Sequence, residues 1–137
     1  CYMLLQGKTI FVVEDNMLNR VTYQLALIQE GAYIVFERWG PSTLFGLRSQ
    51  KQVDLIILDL MLPRGESGYH LFAQIRSVPQ FSQIPIIAVS AAEPSEAMAR
   101  CRDLGFNGYI AKPINEQTFA SQLLRIIEGE VLWSIHS

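Results

Sequence analysis

The chain has 137 residues, half of them hydrophobic and 18% charged, with a net charge of −2 at neutral pH. That size and composition suit one globular domain with its own core, and the slight acidic excess offers no counterion-displacing surface for nucleic acid. The longest apolar runs, around 55–62 and 84–92, fall well short of the ~20 residues that cross a bilayer. Nor does a charged start, apolar run and small-residue cleavage site open the chain, so no signal peptide is expected. The cysteines are Cys1 and Cys101. Cys101 falls on an amphipathic helical pattern and is expected as a small core residue. A structural disulfide is not expected, which fits a reducing cytoplasm. The chain opens with Cys rather than Met, so it is read as an excised piece of a longer protein.

Apolar periodicity gives alternating strands and helices. "KTIFVVE" (8–14) is a buried strand, followed by Leu18, Val21, Leu25 and Ile28 at helical spacing and a helix stop at Gly31. "YIVFE" (33–37) is the second strand. A short helix follows at 41–49, with Pro41 suited to its first turn. "VDLIILD" (53–59) is the third strand, and 68–77 a helix with Leu71, Phe72 and Ile75 on one face. "IPIIAVS" (84–90) is the fourth strand, 94–104 a helix stopped by Gly105, "GYIAK" (108–112) the fifth strand, and 116–128 a closing helix stopped by Gly129. The strands are near-continuous apolar runs, as a parallel sheet covered on both faces requires. The expected fold is therefore α/β: a doubly wound five-stranded parallel sheet, flavodoxin-like, in the order 2-1-3-4-5, with helices on both faces. The whole chain is one domain with its core at about 8–129. Residues 130–137 are either the start of a linker or an extension packed locally through Trp133.

In such sheets, sites form beyond the carboxyl ends of the strands. The first strand ends in Glu14 and Asp15, the third in Asp59, the fourth in Ser90 and the fifth in Lys112. Glu37 and Arg38, on the edge strand, fall outside the site. Three clustered acids repel one another and imply a cation. Oxygen ligands alone suit a hard divalent ion, most simply Mg²⁺. Lys112, one of three lysines, is placed to neutralise a further anion. Mg²⁺, a lysine and a hydroxyl together suit a phosphoryl group, and Asp59, read as sitting at an exposed strand end beside the metal and the lysine, is then a nucleophile for it.

These features resemble the receiver domains of bacterial two-component response regulators, of the chemotaxis-regulator type. The resemblance rests on "VVEDN" (12–16), "DLIILDLMLP" (54–63), "IIAVSA" (86–91) and "GYIAKPI" (108–114) in that order, and covers about 8–129. It implies that Asp59 is the phosphoacceptor. It implies Mg²⁺ on Glu14, Asp15, Asp59 and the backbone carbonyl of Met61, with Lys112 and Ser90 on the phosphate. Tyr109 takes the aromatic switch position and the Lys112–Pro113 bond is cis. The implied partners are a sensor or hybrid histidine kinase or a phosphotransfer protein as donor, and a downstream protein or attached output domain as target. A homodimer through the fourth helix, fifth strand and fifth helix is a further possibility. No direct nucleic-acid or membrane binding is implied, and the only catalysis is self-phosphorylation and dephosphorylation. Two features depart from the family. "PRGESG" places Gly68 five residues after Pro63 rather than four, which reads as an inserted loop residue. "FNGYIAKPI" lacks the paired aspartates of winged-helix transcription-factor receivers and looks more like hybrid-kinase or stand-alone receivers.

Two other readings compete. A phosphatase with an aspartyl nucleophile needs a second acid two residues later, where Met61 stands. A binding module independent of phosphorylation keeps the fold but has no use for the intact acid, hydroxyl and lysine set. His70, His136 and Trp39 are read as surface, terminal and packing residues.

Overall fold

A computed structural model describes residues 3–40, 42–61, 67–91 and 93–134 of the chain. Its apolar runs form parallel strands, each followed by a helix that doubles back. In chain order these are β1 (Thr9–Val13), α1 (Met17–Leu27), β2 (Tyr33–Glu37), α2 (Thr43–Arg48), β3 (Leu55–Leu58), α3 (Gly68–Arg76), β4 (Ile86–Ser90), α4 (Pro94–Leu104), β5 (Gly108–Ala111), α5 (Phe119–Ile127) and β6 (Leu132–Ser134). Local chemistry sets the boundaries. Asn16 caps α1 by accepting the Asn19 N–H, Ser67 caps α3 by accepting the Tyr69 N–H, and Pro94 opens α4. Gly105, at φ 98°, ends α4 in the left-handed conformation that glycine adopts without strain.

The sheet order is β2-β1-β3-β4-β5-β6, parallel throughout. Alternating strand side chains feed two cores. One lies between the sheet and α2, α3 and α4, and contains Phe11, Leu58, Phe72, Cys101 and Tyr109. The other lies under α1 and α5, and contains Val12, Tyr23, Ile57, Phe119 and Leu123.

The structure differs from the sequence reading in several places. The sheet has six strands, because Leu132–Ser134 pairs with β5 instead of leaving as a linker. The local packing through Trp133 is therefore the reading that holds. The closing helix starts at Phe119 rather than residue 116, because Asn115 holds the preceding turn through its side chain to the Gln117 N–H and its carbonyl to the Thr118 and Phe119 N–H groups. The second helix is confined to Thr43–Arg48; Pro41 lies outside the described residues. Helix α1 is where the periodicity placed it, but Leu18, Val21, Leu25 and Ile28 face outward, with Leu18 77% exposed. Its buried residues are Tyr23, Ala26 and Leu27.

Cys101 is fully buried on α4 and free. Burial pushes its thiol up to about 12 from an ordinary 9.0. Between those values the unfolded chain loses this proton and the folded chain keeps it, so stability is intact below pH 9 and declines above it. Urea unfolding at about pH 8 and about pH 10.5 should show a loss from this residue approaching about 1.4 kcal/mol per pH unit. Cys101→Ala should show a correspondingly shallower decline.

Candidate functional site

The carboxyl ends of β1, β3, β4 and β5 meet on one rim of the sheet. Lys112, one residue past β5, lies between two buried carboxylates. Its Nζ donates to Asp59 Oδ2 at 2.8 Å and to Glu14 Oε1 at 3.1 Å. The other Asp59 oxygen, Oδ1, accepts the Met61 N–H at 3.0 Å and the Ser90 hydroxyl at 3.2 Å. Glu14 Oε2 accepts the Asn16 N–H at 3.1 Å. Asp59 is only 9% exposed, which corrects the expectation of an exposed strand end. Its charge is tolerable there because an ammonium, a hydroxyl and a backbone N–H all point at it.

The structure thus brings together Glu14, Asp59, Ser90, Lys112 and the backbone of Met61. Asp15 differs from the other two acids: its Oδ1 is buried with no hydrogen-bond partner. An unpaired buried carboxylate oxygen is costly, and its donor chemistry fits a hard cation that takes oxygen ligands and retains waters. Among the described residues no three acidic, histidine or cysteine side chains are grouped so that together they could hold a metal ion. Tyr109 is fully buried in the α4-side core, and its hydroxyl donates to the Ser90 carbonyl at 3.4 Å. The same carbonyl accepts the Lys112 N–H at 2.9 Å. The Lys112–Pro113 bond is cis.

Sequence reasoning missed two supporting residues and read a third only as a departure in the loop. The Arg20 Nε donates to the Glu14 carbonyl at 2.8 Å, and its guanidinium lies 5.3 Å from the centre of the Phe36 ring. Tyr23 lies beneath the acids: burial pushes its phenol well above the usual range, and the charges of Glu14 and Asp59 push it further the same way. Both occupy the face of α1 opposite its apolar stripe, and their three-residue spacing was the available signal. Gly68 is the third. A Cβ there would lie 2.3 Å from the Asp59 carbonyl oxygen and 2.9 Å from Leu60 Cα, and the Gly68 N–H donates to the Leu60 carbonyl. The glycine five residues after Pro63 therefore lies directly against the backbone of Asp59. The loop at 62–66 lies outside the described residues, and with it the expected inserted residue.

The sequence profile of the response regulator receiver domain matches residues 10–124. The chain belongs to that family. The receiver is 27% identical over 105 residues to the two-component response regulator ORR8 of Oryza sativa subsp. indica, covering 77% of this chain and 86% of that protein. It is 26% identical over 147 residues to the probable histidine kinase 5 of Oryza sativa subsp. japonica, covering 93% of this chain but only 12% of that protein. It is also similar to the receiver domain of the sensor histidine kinase PA1611 from Pseudomonas aeruginosa PAO1, a structure with magnesium in its active-site cleft. That match has 28% identity, a TM-score of 0.77, and covers 90% of this chain and 99% of the other. Similar receivers thus occur both in small regulators and as parts of long kinases. Among the described residues, no helix of this receiver is long and apolar enough to cross a membrane.

Gly68→Ala should lower the unfolding free energy by about 1–3 kcal/mol, since the new methyl meets backbone that cannot yield. Gly40→Ala, where a Cβ meets nothing within 4 Å, should change it by about 0.5 kcal/mol or less. Urea unfolding of the two variants side by side checks this.

Proposed function

We propose that this receiver takes a phosphoryl group from a phosphohistidine onto Asp59 and uses the change to control a partner. The observation that carries this reading is the Lys112 ammonium bound at once to the buried Asp59 and Glu14 carboxylates. That arrangement sets the oxygen of a nucleophile beside a cation, where phosphoryl oxygens would arrive.

An Asp59 oxygen attacks phosphorus, an O–P bond forms, and the N–P bond of the donor breaks with its electron pair leaving on the imidazole. Lys112, already 2.8 Å from Asp59, keeps its positive charge at the group being transferred. The Ser90 hydroxyl, now donating to Asp59, is placed to donate to a phosphoryl oxygen instead. Asp15, Glu14, Asp59 and the Met61 carbonyl would hold Mg²⁺, which when bound supplies charge neutralisation for the phosphoryl oxygens. The only turnover is formation and loss of the receiver's own acyl phosphate. The place of a second acid is taken by Met61, whose side chain is exposed and apolar, so a phosphatase reading lacks its proton donor.

The donor is a sensor or hybrid histidine kinase or a phosphotransfer protein. Its docking surface is the outer face of α1, where Met17, Leu18, Val21, Leu25 and Ile28 form an exposed apolar stripe. The first turn of this helix adjoins the acids through Asn16 and Arg20. Beside it Asn19, Thr22, Tyr23, Ala91, Lys112 and Pro113 border a recess of about 270 Å³. The target is a downstream protein or an attached output domain. A homodimer through α4, β5 and α5 would have to form around β6.

Incubation with Mg²⁺ and acetyl phosphate should add one phosphoryl group to the peptide holding Asp59, read by mass spectrometry. An equal gain in Asp59→Asn would defeat the proposal. Asp15→Asn should raise the metal-free unfolding free energy by about 1 kcal/mol, because a carboxylate oxygen buried without a partner is replaced by a neutral amide. It should also abolish stabilisation by added Mg²⁺, as thermal melts with and without the ion would show. Leu18→Asp and Leu25→Asp should slow transfer from a phosphohistidine protein at least tenfold while leaving acetyl phosphate labelling within twofold.

A further inference from the structure

We propose that β6 is a built-in lid that occupies the β5 edge of this receiver and holds Tyr109 in its buried position whether or not Asp59 carries a phosphoryl group. The proposal rests on the receiver reading only for the meaning of Tyr109 as a switch position; the lid itself stands on packing.

Three observations place the lid. First, β6 is seated directly on β5, in the register Gly108↔Leu132, Tyr109↔Trp133 and Ile110↔Ser134. A Cβ on Gly108 would lie 2.6 Å from the Leu132 carbonyl oxygen, so the approach depends on glycine at that position. Second, β6 has an amphipathic fit to both cores. Leu132 is buried with the α5-side cluster, while Trp133 packs on the α4-side cluster that contains Tyr109. Partners in a parallel pair project to the same face, so the indole neighbours the Tyr109 ring. Third, the strand is anchored at both sides. Arg102 of α4 lies over the Trp133 ring at 5.0 Å. The turn from α5 passes through Gly129 at φ 107° and is clasped by Arg125 donating to Glu130.

The consequence concerns Tyr109. Its ring is fully buried and its hydroxyl reaches the Ser90 carbonyl, on the residue whose side chain touches Asp59. Trp133 stands beside Tyr109 on that face of the sheet, so an outward swing of the ring would have to pass it. The α4–β5–α5 face of this receiver is therefore already covered by its own chain, and a change at Ser90 cannot be relayed there by an outward-to-inward tyrosine rotation.

The test is nitration of the full chain with tetranitromethane, read residue by residue by mass spectrometry. Exposed Tyr33 should react at least ten times faster than Tyr109, both without additions and with Mg²⁺ and beryllofluoride, a stable phosphoryl mimic. Trp133→Ala should bring Tyr109 within threefold of Tyr33, and Trp133→Phe should keep it protected. Tyr23, buried in the opposite core, should stay protected throughout and so reports an intact fold. If Trp133→Ala exposes Tyr23 as well, Trp133→Thr, which keeps strand propensity without the ring, replaces it. The lid is overturned if Tyr109 reacts like Tyr33 in the unaltered chain, if beryllofluoride alone exposes it, or if losing the ring leaves its protection unchanged. Binding of beryllofluoride is scored separately by its fluorine-19 resonance. An absent resonance counts against Asp59 as phosphoacceptor, while the comparison between unaltered chain and Trp133 variants still decides the lid.

Discussion

One ammonium between two buried carboxylates is the constraint to which the rest of the rim conforms. Lys112 follows β5, Asp59 follows β3 and Glu14 follows β1, and β4 lies between the lysine and the nearer acid. Neighbouring strands lie roughly 4.8 Å apart, so the lysine must reach over β4 to touch either carboxylate. A long, flexible stem can do this; the shorter side chains that fill these strands cannot. The passage stays open because β4 ends in Ser90, which is small and contributes a hydroxyl to Asp59 instead of obstructing the lysine. Two acids share the single ammonium, and Asp15, next along the chain from Glu14, is left with a buried oxygen that has no partner. Folding tolerates this residue at a cost, which is the usual relation between a binding site and the stability of its scaffold.

Much of this was legible in the sequence because strand burial and strand tips leave separate marks. A parallel sheet covered on both faces needs unbroken apolar runs, and those runs located β1 to β5. Polar residues at their ends then had one place to go, which is why Glu14, Asp59, Ser90 and Lys112 could be nominated without coordinates and are found in contact. The failures have equally specific causes. Asp59 was read as exposed because no sequence pattern conveys that a lysine more than fifty residues away will solvate it. Periodicity found α1 but not its orientation: Leu18, Val21, Leu25 and Ile28 make a regular stripe, yet Tyr23, Ala26 and Leu27 are what the sheet receives. β6 was missed as a strand because three residues are too few for any period to register.

The surfaces of the domain are managed unequally. On α1 a row of large apolar side chains is left in water next to the acids, a costly arrangement unless something transient covers it. At β5, by contrast, the chain covers its own edge, and the sheet ends instead in a strand of only three residues, too short to invite pairing by another molecule. One apolar surface is open and one potential pairing edge is closed within the same 137 residues.

The seat for β6 also has a diagnostic use. Only hydrogen at position 108 lets another backbone come so close, so a glycine opening the fifth strand is a physical precondition for an added sixth one. An apolar residue and an aromatic 24 and 25 positions after it, as Leu132 and Trp133 stand here, complete a spacing rule that can be searched for in any related sequence. Relatives with a bulkier residue at the glycine position should end their sheets at five strands.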